Sequence, residues 1–202
     1  MKSNMKNISI LFIALLIISR LGFAQTTPRT ILYSGIYKTA QDFKDGKLSF
    51  PMNCDSASGR MKLHHFVSGK YVSITKNKIN YKLSKDSIFG YRNCKGQDYR
   101  FFENHSYEYQ IAEAKSIVIY LALLADPTYT GKGIKLAPTY FFSKTLNSDI
   151  MPLTMSNLKL AFAGNTKFCN MLDGEIKSDK DLSVYDETYK MYRINYLLSQ
   201  SI

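Results

Sequence analysis

The chain of 202 residues contains no tryptophan, only five prolines and eleven glycines, and three cysteines. So little proline and glycine excludes a collagen-like or other fibrous protein. Acidic residues are also few: 16 Asp and Glu stand against 27 Lys and Arg, which gives a formal net charge of +11. Hydrophobic residues make up 45% of the chain. That content excludes a disordered protein, because a disordered chain has too little apolar surface to offset its ordering entropy.

Residues 1–24 have the pattern of a secretory signal peptide. Two lysines give a positive start, Ile8 to Ile18 form an apolar run, and Ala24 is the small residue before the predicted cleavage point. The run is too short for a membrane-spanning helix, which needs roughly 20 residues. We therefore predict an exported protein that does not span a membrane after cleavage, with residues 25–202 as a single domain. An uncleaved N-terminal anchor is the alternative.

Sequence motifs for catalysis or cofactor binding are missing. The chain has no Gly-x-Ser-x-Gly elbow, phosphate loop or Cys-x-x-Cys pair. A metal site could be formed only from widely spaced residues, which are Cys54, His64, Cys94 and His105. We therefore predict no metal and no cofactor. The favoured function is non-enzymatic. The alternative is a hydrolase that acts on envelope polymers, which a cluster of His64, His105 and Glu103 in a deep pocket would indicate.

The three cysteines are Cys54, Cys94 and Cys169. An exported chain folds in an oxidising compartment, so a disulfide between the loop-like stretches around Cys54 and Cys94 is allowed. The odd number leaves at least one cysteine unpaired in any case. We take three free thiols as the default expectation and the Cys54–Cys94 disulfide as the alternative.

The order of apolar and polar residues predicts an α+β fold, a mainly antiparallel β-meander of about six to eight strands with C-terminal helices packed on it. Thr39 is predicted to cap a short helix over residues 40–45, and residues 51–60 have the composition of a loop. The segments with a strand-like pattern, from which the sheet would draw its strands, cover residues 31–38, 61–65, 72–76, 79–83, 87–92, 98–103, 107–112, 117–124 and 139–144.

The C-terminal third changes to a helical pattern. Helices are predicted from Ser156 or Asn157 through Phe162, and over residues 166–172. A third helix is predicted because five apolar or aromatic residues recur at spacings of three and four, which places them on one helix face. We expect that face to pack on the sheet; its residues are Leu182, Tyr185, Tyr189, Tyr192 and Tyr196.

Positive charge is concentrated between residues 70 and 100, where tyrosines are interleaved with lysine and arginine. Basic, aromatic hairpins bind acidic polymers by charge neutralisation and stacking. We therefore predict an acidic or amphipathic ligand, an anionic envelope polymer or lipid head groups, and no nucleic acid because the chain is exported. The alternative is a solvated sheet face whose charges prevent edge-to-edge aggregation. The predicted ligand-binding residues are Lys76, Lys78, Lys82, Lys85, Arg92, Arg100, Tyr81, Tyr91 and Tyr99.

Three stretches of the sequence, residues 83–101, 35–43 and 151–159, resemble a group of small exported proteins of Bacteroidota that is uncharacterised as a family. The similarity extends over most of residues 33–195. The resemblance implies export and a single compact domain. It implies no activity and no catalytic residue.

Overall fold

The computed structural model describes residues 32–202 apart from 57–58, 64–68 and 103–106. The described part belongs to one compact unit, Leu32–Ile202. The predicted signal peptide lies outside the described residues. So do His64, His65 and His105, together with Glu103.

The chain forms two antiparallel sheets, a short C-terminal hairpin and four α-helices. In chain order the strands are β1 (Tyr33–Tyr37), β2 (Ser49–Asn53), β3 (Gly59–Lys62), β4 (Tyr71–Lys76), β5 (Ile79–Ser84), β6 (Gly90–Arg92), β7 (Asp98–Phe102), β8 (Tyr107–Ala114), β9 (Val118–Ala125), β10 (Leu136–Ser143), β11 (Met151–Pro152), β12 (Tyr185–Asp186) and β13 (Met191–Tyr192). The helices are α1 (Ala40–Lys44), α2 (Met155–Ala161), α3 (Thr166–Glu175) and α4 (Arg193–Gln200). These counts apply to the described residues.

The main sheet has eight strands in the order β11-β10-β9-β8-β7-β6-β1-β2. Each neighbouring pair is antiparallel, so β6 to β11 form a continuous meander. The predicted α+β class is thereby confirmed. Short polar connections dictate this topology, because a parallel pair would need a crossover of a dozen residues or more.

Strands β3, β4 and β5 form a separate small sheet between β2 and β6 along the chain. Asn77 and Lys78 both adopt positive φ, of 51° and 64°. Two such residues make the tight turn whose twist matches that of the flanking strands. The predicted hairpin around this turn is confirmed.

The loop predicted over residues 51–60 is wrong, because β2 and β3 occupy both of its ends. Pro51 fits β2 since β2 is the edge strand of the main sheet, where a missing N–H costs no ladder hydrogen bond. Gly59 belongs to β3 for a packing reason. A Cβ atom there would come within 2.8 Å of the Met52 side chain.

Helix α1 begins as predicted at a capping box. The Thr39 hydroxyl accepts the Asp42 N–H, and the Asp42 carboxylate accepts the Thr39 N–H. The other helices differ in their ends: α2 begins after Thr154, whose hydroxyl caps Asn157, and α3 runs on to Glu175. The N-cap hydrogen bond of Thr154 places the start of α2 at Met155, one or two residues before the predicted start, whereas α3 begins at Thr166 as predicted.

The single tyrosine-faced helix predicted near the C-terminus is wrong. Tyr185 pairs instead with Tyr192 across the β12–β13 hairpin. The C-terminal α-helix begins only at Arg193. Asp186 causes the change, because its carboxylate accepts the N–H of Thr188 and of Tyr189 and so favours a turn. Leu182 lies in a short 3₁₀ helix and is fully buried.

The two faces of the main sheet carry different cores, because successive residues of a strand point to opposite sides. On the first face, Ile119 and Phe142 pack with the helical layer, including Leu158 of α2 and Ile194 of α4. The same face continues to β6 and β7, where the small sheet covers it. On the second face, α1 and the loop after β10 cover a cluster that includes Tyr120.

Helix α4 is fixed to the sheet by Asn195, which is 1% exposed. Its Oδ1 atom accepts the Ile117 N–H at 2.7 Å. Its Nδ2 atom donates to the Ile117 carbonyl at 3.0 Å and to Glu113 Oε2 at 2.5 Å. Glu113 adjoins an irregularity in the β8–β9 register that turns its carboxylate toward α4.

We expect Asn195→Ala to lower the free energy of unfolding by about 2–3 kcal/mol, because it leaves buried partners of the amide without hydrogen bonds. Urea denaturation measures the change. The matched control is Gln200→Ala, at an exposed position of the same helix, which we expect to leave stability unchanged. Equal stabilities of the two variants would contradict the assigned role of Asn195.

Candidate functional site

The outward face of the small sheet is basic. Register places Lys62 opposite Ser73, and Ser73 opposite Lys82, so the three share one face. Arg60 lies on the same face because it precedes Lys62 by two residues. The Lys82 Nζ atom lies 4.2 Å from the centre of the Tyr71 ring. None of the three strands contains an Asp or Glu, so the positive charge of this face is not neutralised within its own strands.

The other face of the small sheet packs inward. Met61, Ile74 and Tyr81 are paired across the three strands, and Ile74 is fully buried. The Tyr81 ring lies 4.8 Å from the ring of Phe50. Tyr81 therefore belongs to the core below the basic face, although it was predicted to bind ligand.

Lys76 and Lys78, before and within the hairpin turn, differ in environment. Lys78 is exposed at the turn itself. Lys76 is half-buried and pairs with Gly59 and Ile79, on the inward side of the sheet. Lys78 extends the basic face at its tip, and Lys76 does not.

Lys85 is buried beneath the small sheet, where it was predicted to be a surface cation. Its Nζ atom lies 3.2 Å from Glu108 Oε1, with side-chain exposures of 3% and 13%. The Tyr91 hydroxyl donates to Glu108 Oε2 at 2.8 Å. Burial, and then the Glu108 charge, raise the pKa of Tyr91 well above its usual value. The cluster joins the end of the small sheet to the main sheet.

The two predicted arginines also have internal partners. Arg92 makes a bidentate ion pair with Asp98, at 2.7 and 2.8 Å, and the Tyr37 hydroxyl donates to the same carboxylate. The hydrogen bond to Asp98 raises the pKa of Arg92. Arg100 is 7% exposed and donates to the Tyr120 hydroxyl at 3.0 Å. The structure therefore does not bring Arg92 or Arg100 to the basic face.

A cleft of about 890 Å³ separates the small sheet from the exposed part of the main sheet. Its apolar lining comes from Met61 and Leu63 on one side and from Leu121 and Leu123 of β9 on the other. Predicted ligand residues Tyr91 and Tyr99 also line it, with their rings stacked 4.8 Å apart. The charged residues of the lining, among those that the structure describes, are Arg60, Lys85 and Glu108.

The wall of this cleft also contains a disulfide between Cys54 and Cys94. The default expectation of three free thiols is therefore wrong. The register explains the pairing, because Tyr33 pairs with Asn53 and Gly35 pairs with Arg92, so the ends of β2 and β6 flank β1. Cys169 is a free, half-buried thiol.

Arg60 and Lys62 were not predicted as site residues. The loop-like composition of residues 51–60 concealed the beginning of β3. The signal that identifies them is the alternation Arg60-Met61-Lys62-Leu63, in which two apolar residues face the core and two cations face outward.

Comparison of the chain with protein-family models, with curated proteins and with solved structures gives no match. In the described ranges no group of His, Cys, Asp and Glu has the geometry of a metal site. No helix within those ranges has the length and apolar character needed to cross a membrane. His64, His105 and Glu103, which would mark a hydrolase, lie outside the described residues.

Proposed function

We propose that this protein is an exported, non-enzymatic binding protein whose ligand is an anionic polysaccharide of the cell envelope. The observation that carries the proposal is the outward face of the small sheet. It presents Arg60, Lys62, Lys78 and Lys82 without an acidic residue in the three strands. Such a surface attracts a polyanion and orients it by charge complementarity.

The other side chains of this face favour a polysaccharide over lipid. Thr75 and Asn80 are exposed and hydrogen-bonded to each other, and Ser73 lies between the two lysines. Hydroxyl and amide groups match the hydroxyl-rich surface of a sugar chain. Among the residues of the three described strands, Tyr71 is the one large ring on this face, and the Lys82 ammonium covers it. The described side chains of this face offer positive charge and hydrogen bonds, which suits a binding role.

Two features support export. Residues 1–24 have the order of charges, apolar residues and small residues that signal peptides have. The Cys54–Cys94 disulfide suits an oxidising compartment, where disulfides form and persist.

The test removes two charges from the basic face. We expect Lys62→Gln with Lys82→Gln to weaken binding to polygalacturonate about tenfold, because each exposed ion pair contributes up to about 1 kcal/mol. Calorimetry at two salt concentrations measures the affinity. Wild-type binding should weaken as salt rises, since salt screens exposed charges.

The matched control is Lys177→Gln with Lys180→Gln, which removes the same charge from an exposed segment after α3. We expect this variant to bind as the wild type does. If both double variants lost the same affinity for polygalacturonate, the loss would be due to net charge alone. That result would contradict binding at the outward face of the small sheet. Stronger binding to phosphatidylglycerol vesicles than to polygalacturonate would contradict the choice of a polysaccharide.

A further inference from the structure

A second ligand site is indicated by exposed apolar side chains inside the cleft. Leu123 of β9 is 62% exposed, although it faces a concave surface shared with Leu121, Met61 and Leu63. A single exposed leucine is common on protein surfaces, but this one shares a cleft with the half-buried side chains of Leu121, Met61 and Leu63. A cleft with apolar walls is the usual form of a small-molecule site. The cleft volume, about 890 Å³, lies within the range of about 300–1,000 Å³ that small-molecule sites have.

The charges of the cleft restrict the ligand. The charges of Lys85 and Glu108 neutralise each other, with Lys85 Nζ 3.2 Å from Glu108 Oε1. The Tyr91 hydroxyl donates a hydrogen bond to the other carboxylate oxygen of Glu108. Arg60 is the remaining charged residue of the described lining, and it is exposed where β3 meets the mouth of the cleft. The described part of the lining thus has a net charge of +1, with the excess at its rim.

We infer that the cleft binds a long-chain carboxylic acid, with the chain along the leucine and methionine walls and the carboxylate near Arg60. A single negative charge complements the net charge of the lining. A flexible apolar chain fits this cleft between two sheets, because Leu121 and Leu123 follow one another along the same face of β9 and give it a continuous apolar wall. Arg60, at the rim of the cleft, also borders the outward face proposed to bind polysaccharide, whereas the leucine and methionine walls do not contribute to that face. The inference does not depend on the proposed function.

The test uses the full chain and cis-parinaric acid, a fluorescent fatty acid, which palmitic acid then displaces. We expect Leu123→Gln to weaken palmitic acid binding about tenfold, because it removes apolar contact area from the wall. The control is Leu160→Gln, at a leucine of α2 that is 75% exposed and outside the cleft. It should bind as the wild type does. Failure of the wild type to bind, or equal binding by both variants, would overturn the site.

The position of the carboxylate is tested by Arg60→Gln and by hexadecanol, which has the same chain length as palmitic acid and no charge. We expect this variant to lose affinity for palmitic acid and to keep its affinity for hexadecanol. Equal losses for both ligands would overturn the placement of the head group. The Lys62→Gln, Lys82→Gln double variant should bind palmitic acid normally, so the two proposals fail independently.

Discussion

Replacing Cys54 and Cys94 together by serine is expected to lower the free energy of unfolding by about 4 kcal/mol, the value for a loop of this length. The two cysteines are separated by 40 positions and enclose the whole small sheet. Without the bond, the unfolded chain gains the entropy of opening that loop. Urea denaturation in the presence and absence of dithiothreitol measures the same difference on the unmodified protein.

Cys169→Ser is the matched control, because it removes the free thiol and leaves the disulfide intact. We expect its stability to respond to dithiothreitol exactly as the wild type does, whereas the double serine variant should show no response. A wild-type protein whose unfolding is insensitive to dithiothreitol would contradict the presence of the bond or its contribution to stability.

Glu108→Leu is expected to lower the free energy of unfolding by about 3–5 kcal/mol, because it leaves the Lys85 ammonium buried without its counter-charge. The substitution also removes the carboxylate that accepts the hydrogen bond of the Tyr91 hydroxyl. Adding Lys85→Met removes the remaining charge, so the double variant should be more stable than Glu108→Leu alone. Chemical denaturation of the wild type, both single variants and the double variant measures the coupling.

The control for this cycle is the exposed pair of Glu187 and Lys190, whose side chains are 80% and 72% exposed. We expect Glu187→Gln to cause no measurable change, since exposed ion pairs contribute little to stability. If the double variant were no more stable than Glu108→Leu, the buried charge of Lys85 would not be the source of the loss.

Most of the sheet was predictable from sequence, because alternation and turn chemistry agree there. The hairpin of β4 and β5 shows this. Apolar and polar residues alternate along both strands, and Asn77 and Lys78 of the turn adopt positive φ. The short helix after Thr39 was predictable for a similar reason. Its capping box depends on residues three apart, which are visible in the sequence.

The C-terminal segment shows where periodicity is insufficient. The spacing from Tyr185 to Tyr196 fits one face of a helix, yet the first part of it forms a hairpin. Asp186 hydrogen-bonds to the backbone two and three residues ahead and Lys190 adopts a φ of 51°, which a helix does not permit. Local bonds from a short polar side chain outweigh helix propensity where they satisfy several N–H groups at once.

The sequence predicted that this segment is basic. It did not predict which of its charged residues lie on the outward face. Of the predicted lysines, Lys78 and Lys82 lie at the basic face and Lys76 does not. Lys85 is internal because of its partner, Glu108, which lies 23 residues away along the chain. Arg92 pairs with Asp98 because the two are opposite in the β6–β7 register. These pairs form only when the strands come together, and they determine which cations are exposed to solvent. The local sequence pattern does not predict them.

The central claim is that the outward face of the small sheet binds an anionic polysaccharide. Its most direct test is the titration of the isotope-labelled protein with polygalacturonate, followed by the NMR shifts of backbone amides. The account predicts shifts confined to β3, β4 and β5, around Lys62 and Lys82, that disappear in high salt. Shifts centred on the helices α2 to α4, or shifts that persist in high salt, would contradict it.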